Sequence, residues 1–190
     1  VTERMHGRVT RLFVTPLLRA FRTLLGDLDF LKYLDSFRYP LAGEFSMIAD
    51  LARANRIPGD WGLEVGVLAE VYRNCSQKRI CQVDLCETYE HKHQPLSEEN
   101  VETGLMKMCI DISKTLFTTL SSDGTIFNDG FFRTLRITYL RKAQRFIERY
   151  ESDAAINGLF FDRHQEAKAV DAFTNGLKLA GEQFLENPIG

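Results

Sequence analysis

The chain predicts an α/β fold with a helical C-terminal tail. Two short apolar stretches, residues 41–47 and 80–85, read as strands, and helical periodicity frames each of them. From residue 97 onward the pattern is helical throughout. Two strands of this length cannot cover their own backbone edges, so they are expected to lie together in one sheet and to join a larger one.

The elements follow in order. Val9, Leu12, Phe13, Leu17, Ala20, Phe21 and Leu24 recur at helical spacing over residues 8–25, with Arg8, Arg11, Arg19 and Arg22 interleaved. Pro16 falls inside this pattern and predicts a bend or restart, and Gly26 predicts its end. Asp27-Leu28-Asp29 then reads as a surface turn. The run over residues 37–47 is extended and apolar but holds Pro40 and Gly43, and such a glycine marks close approach of the backbone to a neighbour.

A short helix over residues 48–55, a turn at Pro58-Gly59-Asp60 and a helix over 61–72 come next, the last with Leu63, Val67, Leu68 and Val71 inward. Glu64 lies in its first turn, where a carboxylate complements the helix dipole. After the 80–85 strand, helices are expected over residues 97–120, 128–150 and 163–185. Phe131, Phe132, Leu135, Tyr139, Phe146, Ile147 and Tyr150 give the middle one an aromatic face suited to packing. The apolar faces of the last two helices are expected to pack on the core or to mediate a homodimer.

At 190 residues, with 44% hydrophobic and 26% charged positions, the chain suits one sizeable domain and argues against disorder. No apolar run approaches the roughly 20 residues that span a bilayer, so no membrane association and a cytoplasmic location are expected. A net charge of -2 argues against nucleic-acid binding, which needs a clustered basic excess. Cys75, Cys81, Cys86 and Cys109 read as reduced, buried thiols. Cys81 and Cys86 would face opposite sides of a strand, which disfavours a zinc site with the nearby histidines.

Ligand-capable side chains concentrate in residues 82–95, where an apolar strand runs into Glu87, His91 and His93. A histidine at a strand end can offer a neutral nitrogen to a divalent cation or an imidazolium to a phosphate. A solvated polar loop is the competing reading. The chain opens at Val1 and runs directly into an arginine-rich helix, as the middle of a longer protein would.

Four pieces in order carry a resemblance: Gly7-Arg8-Val9-Thr10-Arg11-Leu12 with Pro16-Leu17-Leu18; Tyr39-Pro40-Leu41-Ala42-Gly43-Glu44-Phe45; Trp61-Gly62-Leu63-Glu64-Val65-Gly66-Val67-Leu68; and Gln82-Val83-Asp84-Leu85 through His91-Lys92-His93-Gln94-Pro95. Together they resemble the C-terminal half of the glucosyl-3-phosphoglycerate synthases, retaining glycosyltransferases of the GT-A fold. The resemblance implies that residues 1–120 are the acceptor- and metal-binding part of a GT-A domain and residues 121–190 a helical extension. It implies a nucleotide-sugar donor, 3-phosphoglycerate as acceptor and a divalent cation, magnesium or manganese.

By the same resemblance Arg8 and Thr10 hold the acceptor phosphate and His93 touches the acceptor, although some members carry Asn there. Leu41, Ala42 and Gly43 line the donor site, Glu64 reaches the sugar and the reaction centre, and His91 is the metal ligand. The family's Asp-x-Asp motif, which grips the diphosphate, has no counterpart upstream of His91 apart from the turn at residues 27–29, so the nucleotide-binding half is expected to be absent and this portion inactive alone. A rival reading from another class is a helical interaction or dimerisation module without catalysis of its own. A structural metal or redox protein would need at least three converging ligands, a spacing the sequence lacks.

Overall fold

The computed structural model describes residues 5–85 and 104–188. A π-helical turn, Thr10–Val14, runs without a break into α1 (Thr15–Leu25). Then come α2 (Asp29–Asp35), α3 (Ala49–Ala54), α4 (Leu63–Asn74), a short 3-10 turn at Gln77–Arg79, α5 (Gly104–Ser122), α6 (Asp129–Ile156) and α7 (Arg163–Glu186). Helix α6 packs along α1 and α7, α7 also packs on α5, and both α6 and α7 reach the π-turn. Helix α4 joins through α5 and α2.

One apolar cluster joins these helices. Phe13, Phe21, Phe117, Tyr139 and Phe173 are its largest fully buried side chains. The Phe117 ring lies 4.8 Å from Phe132 and 5.6 Å from Phe184, tying α5 to α6 and α7. Each such side chain contributes about 1.5–3 kcal/mol through burial. Leu135, Tyr139 and Ala143 of α6 and Phe173, Leu177 and Ala180 of α7 point into this core, which is the packing alternative expected for these helices, while Ile137, Ile156 and Leu185 stay exposed. None of the described helices is long and apolar enough to cross a membrane.

The irregularity expected at Pro16 is present, one turn early, as the π-turn, in which the Thr15 N–H reaches back to the Thr10 carbonyl. Proline has no N–H for the carbonyl four residues before it, here Leu12. The buried Tyr139 hydroxyl donates to that carbonyl at 2.8 Å, so α6 satisfies what Pro16 leaves open.

The α/β expectation is overturned. The described residues are 70% helical and contain no strand, so short strands joining a larger sheet as half of a GT-A fold are not what this chain forms. Residues 42–48 and 80–85 have irregular backbone and share no ladder. Alternation signals a strand where one face lies on a core, and here Val83 and Leu85 are 68% and 67% exposed. Beyond Ile80, the second segment is held among the described residues through Arg38: Gln82 Oε1 accepts from the Arg38 N–H at 2.7 Å, and Asp84 pairs with the Arg38 guanidinium at 2.7 Å.

The helical expectations fare differently. Helices α3, α4, α6 and α7 lie where periodicity predicts them, and α6 runs six residues past the expected 150, to Ile156. Asn128 caps α6 by accepting from the Phe131 N–H, and Asp162 caps α7 by accepting from the Gln165 N–H. Helix α2 was not expected. It follows the turn at residues 26–28 and buries Phe30, Leu31, Tyr33 and Leu34.

Candidate functional site

The site begins at the turn before the π-helix. Gly7 takes φ +70°, a left-handed conformation, and a Cβ there would meet the Tyr39 ring at 3.4 Å. From this turn Arg8 and Arg11 both reach Glu166 in the first turn of α7. Arg8 Nε and Nη2 donate to Glu166 Oε1 at 3.3 and 3.2 Å, and Arg11 Nη2 lies 3.5 Å from Oε2. Arg11 is anchored further: its Nε donates to the His6 carbonyl at 2.8 Å, and its guanidinium sits 4.9 Å from the Tyr150 ring centre.

Two guanidiniums thus face the single Glu166 carboxylate in this recess. Burial lowers the Arg11 pKa, an effect that the Glu166 charge opposes. Among the described residues Arg11 Nη1 is buried without a hydrogen-bond partner, while Glu166 Oε2 has only the Arg11 Nη2 contact and the Thr10 hydroxyl turns to Tyr39. Buried polar groups are rarely left so, and charged donors from two arginines beside one carboxylate suit an anion.

Tyr39 connects this recess to the next piece. Burial raises its hydroxyl pKa, the Thr10 hydroxyl lowers it through a hydrogen bond, and the charges of Glu64 and Glu44 raise it. Its ring lies against Gly7, and the Glu64 charge acts on its hydroxyl. Glu64 is itself half-buried, and burial lifts its carboxyl above the usual range. Thr10 thus bonds to Tyr39 and the Glu64 charge acts on it, while Arg8 is held by Glu166.

The glycines flanking Glu64 have another task. A Cβ on Gly62 would fall on the Thr115 hydroxyl of α5, and one on Gly66 would fall on the Pro58 ring. They let α4 close on its neighbours. The Trp61 N–H donates at 3.3 Å to Asp111 of α5, a buried carboxylate that also pairs with Lys107.

Of the expected donor-site residues, Leu41 is buried in the core and Ala42 N–H closes a turn onto the Tyr39 carbonyl at 3.1 Å. Gly43 is exposed, and a Cβ there would meet nothing within 4 Å among the described residues, so none of them makes the close approach expected there. His91, His93 and Cys86 lie outside the described residues. Among the described residues no three His, Cys, Asp or Glu converge as a metal site would need. Cys75, Cys81 and Cys109 are free thiols, but only Cys109 is buried as expected.

Sequence reasoning missed Glu166, Arg11 and Tyr150. Arg11 stood in the quoted motif, one position beyond the residues assigned a role. Glu166 carries no local signal, because a carboxylate in a first helical turn reads as a dipole partner.

The chain is similar over all 190 residues, at 54% identity, to a glucosyl-3-phosphoglycerate synthase of Persephonella marina, of which it spans 47%. It is 47% identical over 186 residues to the protein of the same name from Methanococcoides burtonii, spanning 45% of it. A glucosyl-3-phosphoglycerate synthase of Mycolicibacterium paratuberculosis is 33% identical over 92 residues, 48% of this chain and 25% of that protein. The chain thus spans about half the length of the first two relatives, matching their C-terminal part, and the resemblance read from its four motifs extends over its whole length. No family model and no solved structure matches it.

Proposed function

We propose that this chain is the acceptor-binding portion of a glucosyl-3-phosphoglycerate synthase, an enzyme that moves glucose from a nucleotide sugar onto 3-phosphoglycerate with retention at the anomeric carbon. The observation that carries this reading is the 54% identity to a protein of that name across the whole chain. The cationic recess at Arg8 and Thr10 supports it, since a phosphorylated acceptor needs such a cradle.

In this reading Arg8 offers charged donors and Thr10 a hydroxyl to the acceptor phosphate, and holding that end turns the acceptor hydroxyl toward the anomeric carbon. Glu64, whose charge acts on Tyr39, orients sugar hydroxyls or balances positive charge developing on the sugar ring. The backbone at residues 41–43 flanks the donor hexose, and His93 adds an acceptor contact. A divalent cation, magnesium or manganese, would neutralise the leaving diphosphate when bound, with His91 as this chain's candidate ligand.

The test is transfer of glucose from UDP- or GDP-glucose to 3-phosphoglycerate by the full-length protein that carries this sequence. The 190-residue chain alone is expected to show none. Absence of transfer by the full-length protein, or turnover by the 190-residue chain, would sink the reading. For the cation, His91→Ala is expected to lower the rate roughly 10²-fold and to shift its metal titration. Identical titration curves and turnover in variant and parent would remove that assignment.

A further inference from the structure

We infer that Glu166 is a positioning residue for the acceptor phosphate: from the first turn of α7 it grips one edge of the Arg8 guanidinium and so turns the remaining donors of Arg8 to the anion. The inference rests on the reading of Arg8 as a phosphate ligand given above, and adds a residue from the far end of the chain to that site.

The geometry divides the labour between the two arginines. Arg11 is held on several sides, by the His6 and Met5 carbonyls, the Tyr150 ring and Glu166, and its side chain is 11% exposed. It supplies charge but cannot reach out. Arg8 is 36% exposed, and its bonds to Glu166 use only the Nε and Nη2 edge, both on Oε1. Nη1 makes no hydrogen bond to any described residue and is left for a ligand.

A dipole-complementing carboxylate gains nothing from being buried, yet the Glu166 side chain is 8% exposed and directed across the fold to a residue 158 positions earlier. Desolvating a carboxylate is costly unless charged donors meet it, and here both donors belong to the anion site. An unrestrained arginine loses rotamer freedom each time it closes on a ligand, whereas one pinned along one edge has already lost it. Two guanidiniums face the single Glu166 carboxylate, so donors of Arg8 remain after the pairing. The carboxylate therefore need not be displaced for an anion to enter.

The experiment uses the full-length protein that carries this sequence, with 15N-labelled arginine, titrated with 3-phosphoglycerate, in the parent, Glu166→Gln, Glu166→Asp and Arg8→Ala. In the parent, the Arg8 Nε–H resonance is expected to be protected and to stay so as phosphoglycerate is added. Its loss on titration would mean that the ligand displaces Glu166, which overturns the inference without any variant having to fold. In Glu166→Gln, at a temperature where circular dichroism shows it folded, the signal is expected to broaden and affinity to fall about tenfold, the lower range for removing a residue that orients a ligand-binding side chain. Glu166→Asp, which keeps the charge on a shorter stem, is expected to fall between the two. Unchanged or tighter binding in Glu166→Gln overturns the inference. Arg8→Ala separates the two readings: if it binds phosphoglycerate as well as the parent, the acceptor role has failed and the inference with it. If Arg8→Ala loses binding while Glu166→Gln keeps both signal and affinity, the inference alone has failed.

Discussion

The turn at Gly7 to Leu12 and the segment from Trp61 to Leu68 look alike in sequence, each a glycine-marked motif entering a helix, but the fold uses them for different ends. The first gathers Arg8 and Arg11 around Glu166 and leaves Arg11 Nη1 buried without a partner among the described residues. In the second, Gly62 and Gly66 fit against Thr115 and Pro58, and the Trp61 N–H finds Asp111. Unmet polar capacity marks a place prepared for a ligand, whereas backbone closeness marks a joint between elements. Only Glu64, whose charge acts on Tyr39, bears on the first kind.

The contrast breaks if glycine substitution in the second motif leaves the fold untroubled. Gly66→Ala should gain about 1 kcal/mol from helix propensity but lose more to overpacking, because the Pro58 ring cannot move aside as a flexible chain end would. A net destabilisation of about 2 kcal/mol is expected from urea denaturation. A variant as stable as the parent would show that α4 does not depend on that approach.

Arg8→Ala should behave in the opposite way. In the full-length enzyme it is expected to raise the Michaelis constant for 3-phosphoglycerate roughly tenfold or more, by removing hydrogen bonds from a charged donor, and to leave the donor constant alone. Equal changes in both constants would mean that the recess serves the fold as a whole and not the acceptor.

Between these lies Tyr139, which repairs the backbone beside the first motif. Tyr139→Phe leaves the Leu12 carbonyl buried without its donor and should cost about 1–2 kcal/mol. Hydrogen exchange at residues 12–17 should rise if the π-turn depends on that bond. A stability equal to the parent's would show that the helix satisfies the carbonyl by itself.

What the sequence discloses follows the range of the forces involved. The ends of α7 and the start of α6 are legible because capping is local: Asn128 and Asp162 each bond an N–H three residues on. The irregularity at Pro16 is legible for the same reason. Helix α2 has only seven residues, too few for its periodicity to stand out, although Phe30, Leu31 and Leu34 carry it. The strands failed because alternation at Val83 and Leu85 is a claim about a partner surface, and no described residue supplies one. Half of the site was legible, the half lying within short motifs. Glu166 was not, because pairing across 158 positions leaves no trace in local pattern.

The smallest expected effect concerns Glu64, and its sign is fixed by burial. Its folded pKa is raised, with desolvation as the leading cause, so folding favours the protonated form. The stability this contributes is fully present below the unfolded pKa and is lost as pH rises through the folded value. Above its raised folded value the parent carries an ionised, half-buried carboxylate at a cost that Glu64→Gln does not bear. The variant should gain stability relative to the parent at pH 7, and the gain should shrink toward pH 4, where the parent's carboxyl is protonated in the fold. Urea midpoints of both proteins at the two pH values measure this directly. A difference independent of pH would mean that Glu64 is solvated like a surface residue, and would move it from the site around Tyr39 to the same class as Gly62 and Gly66, residues that serve only the seating of α4.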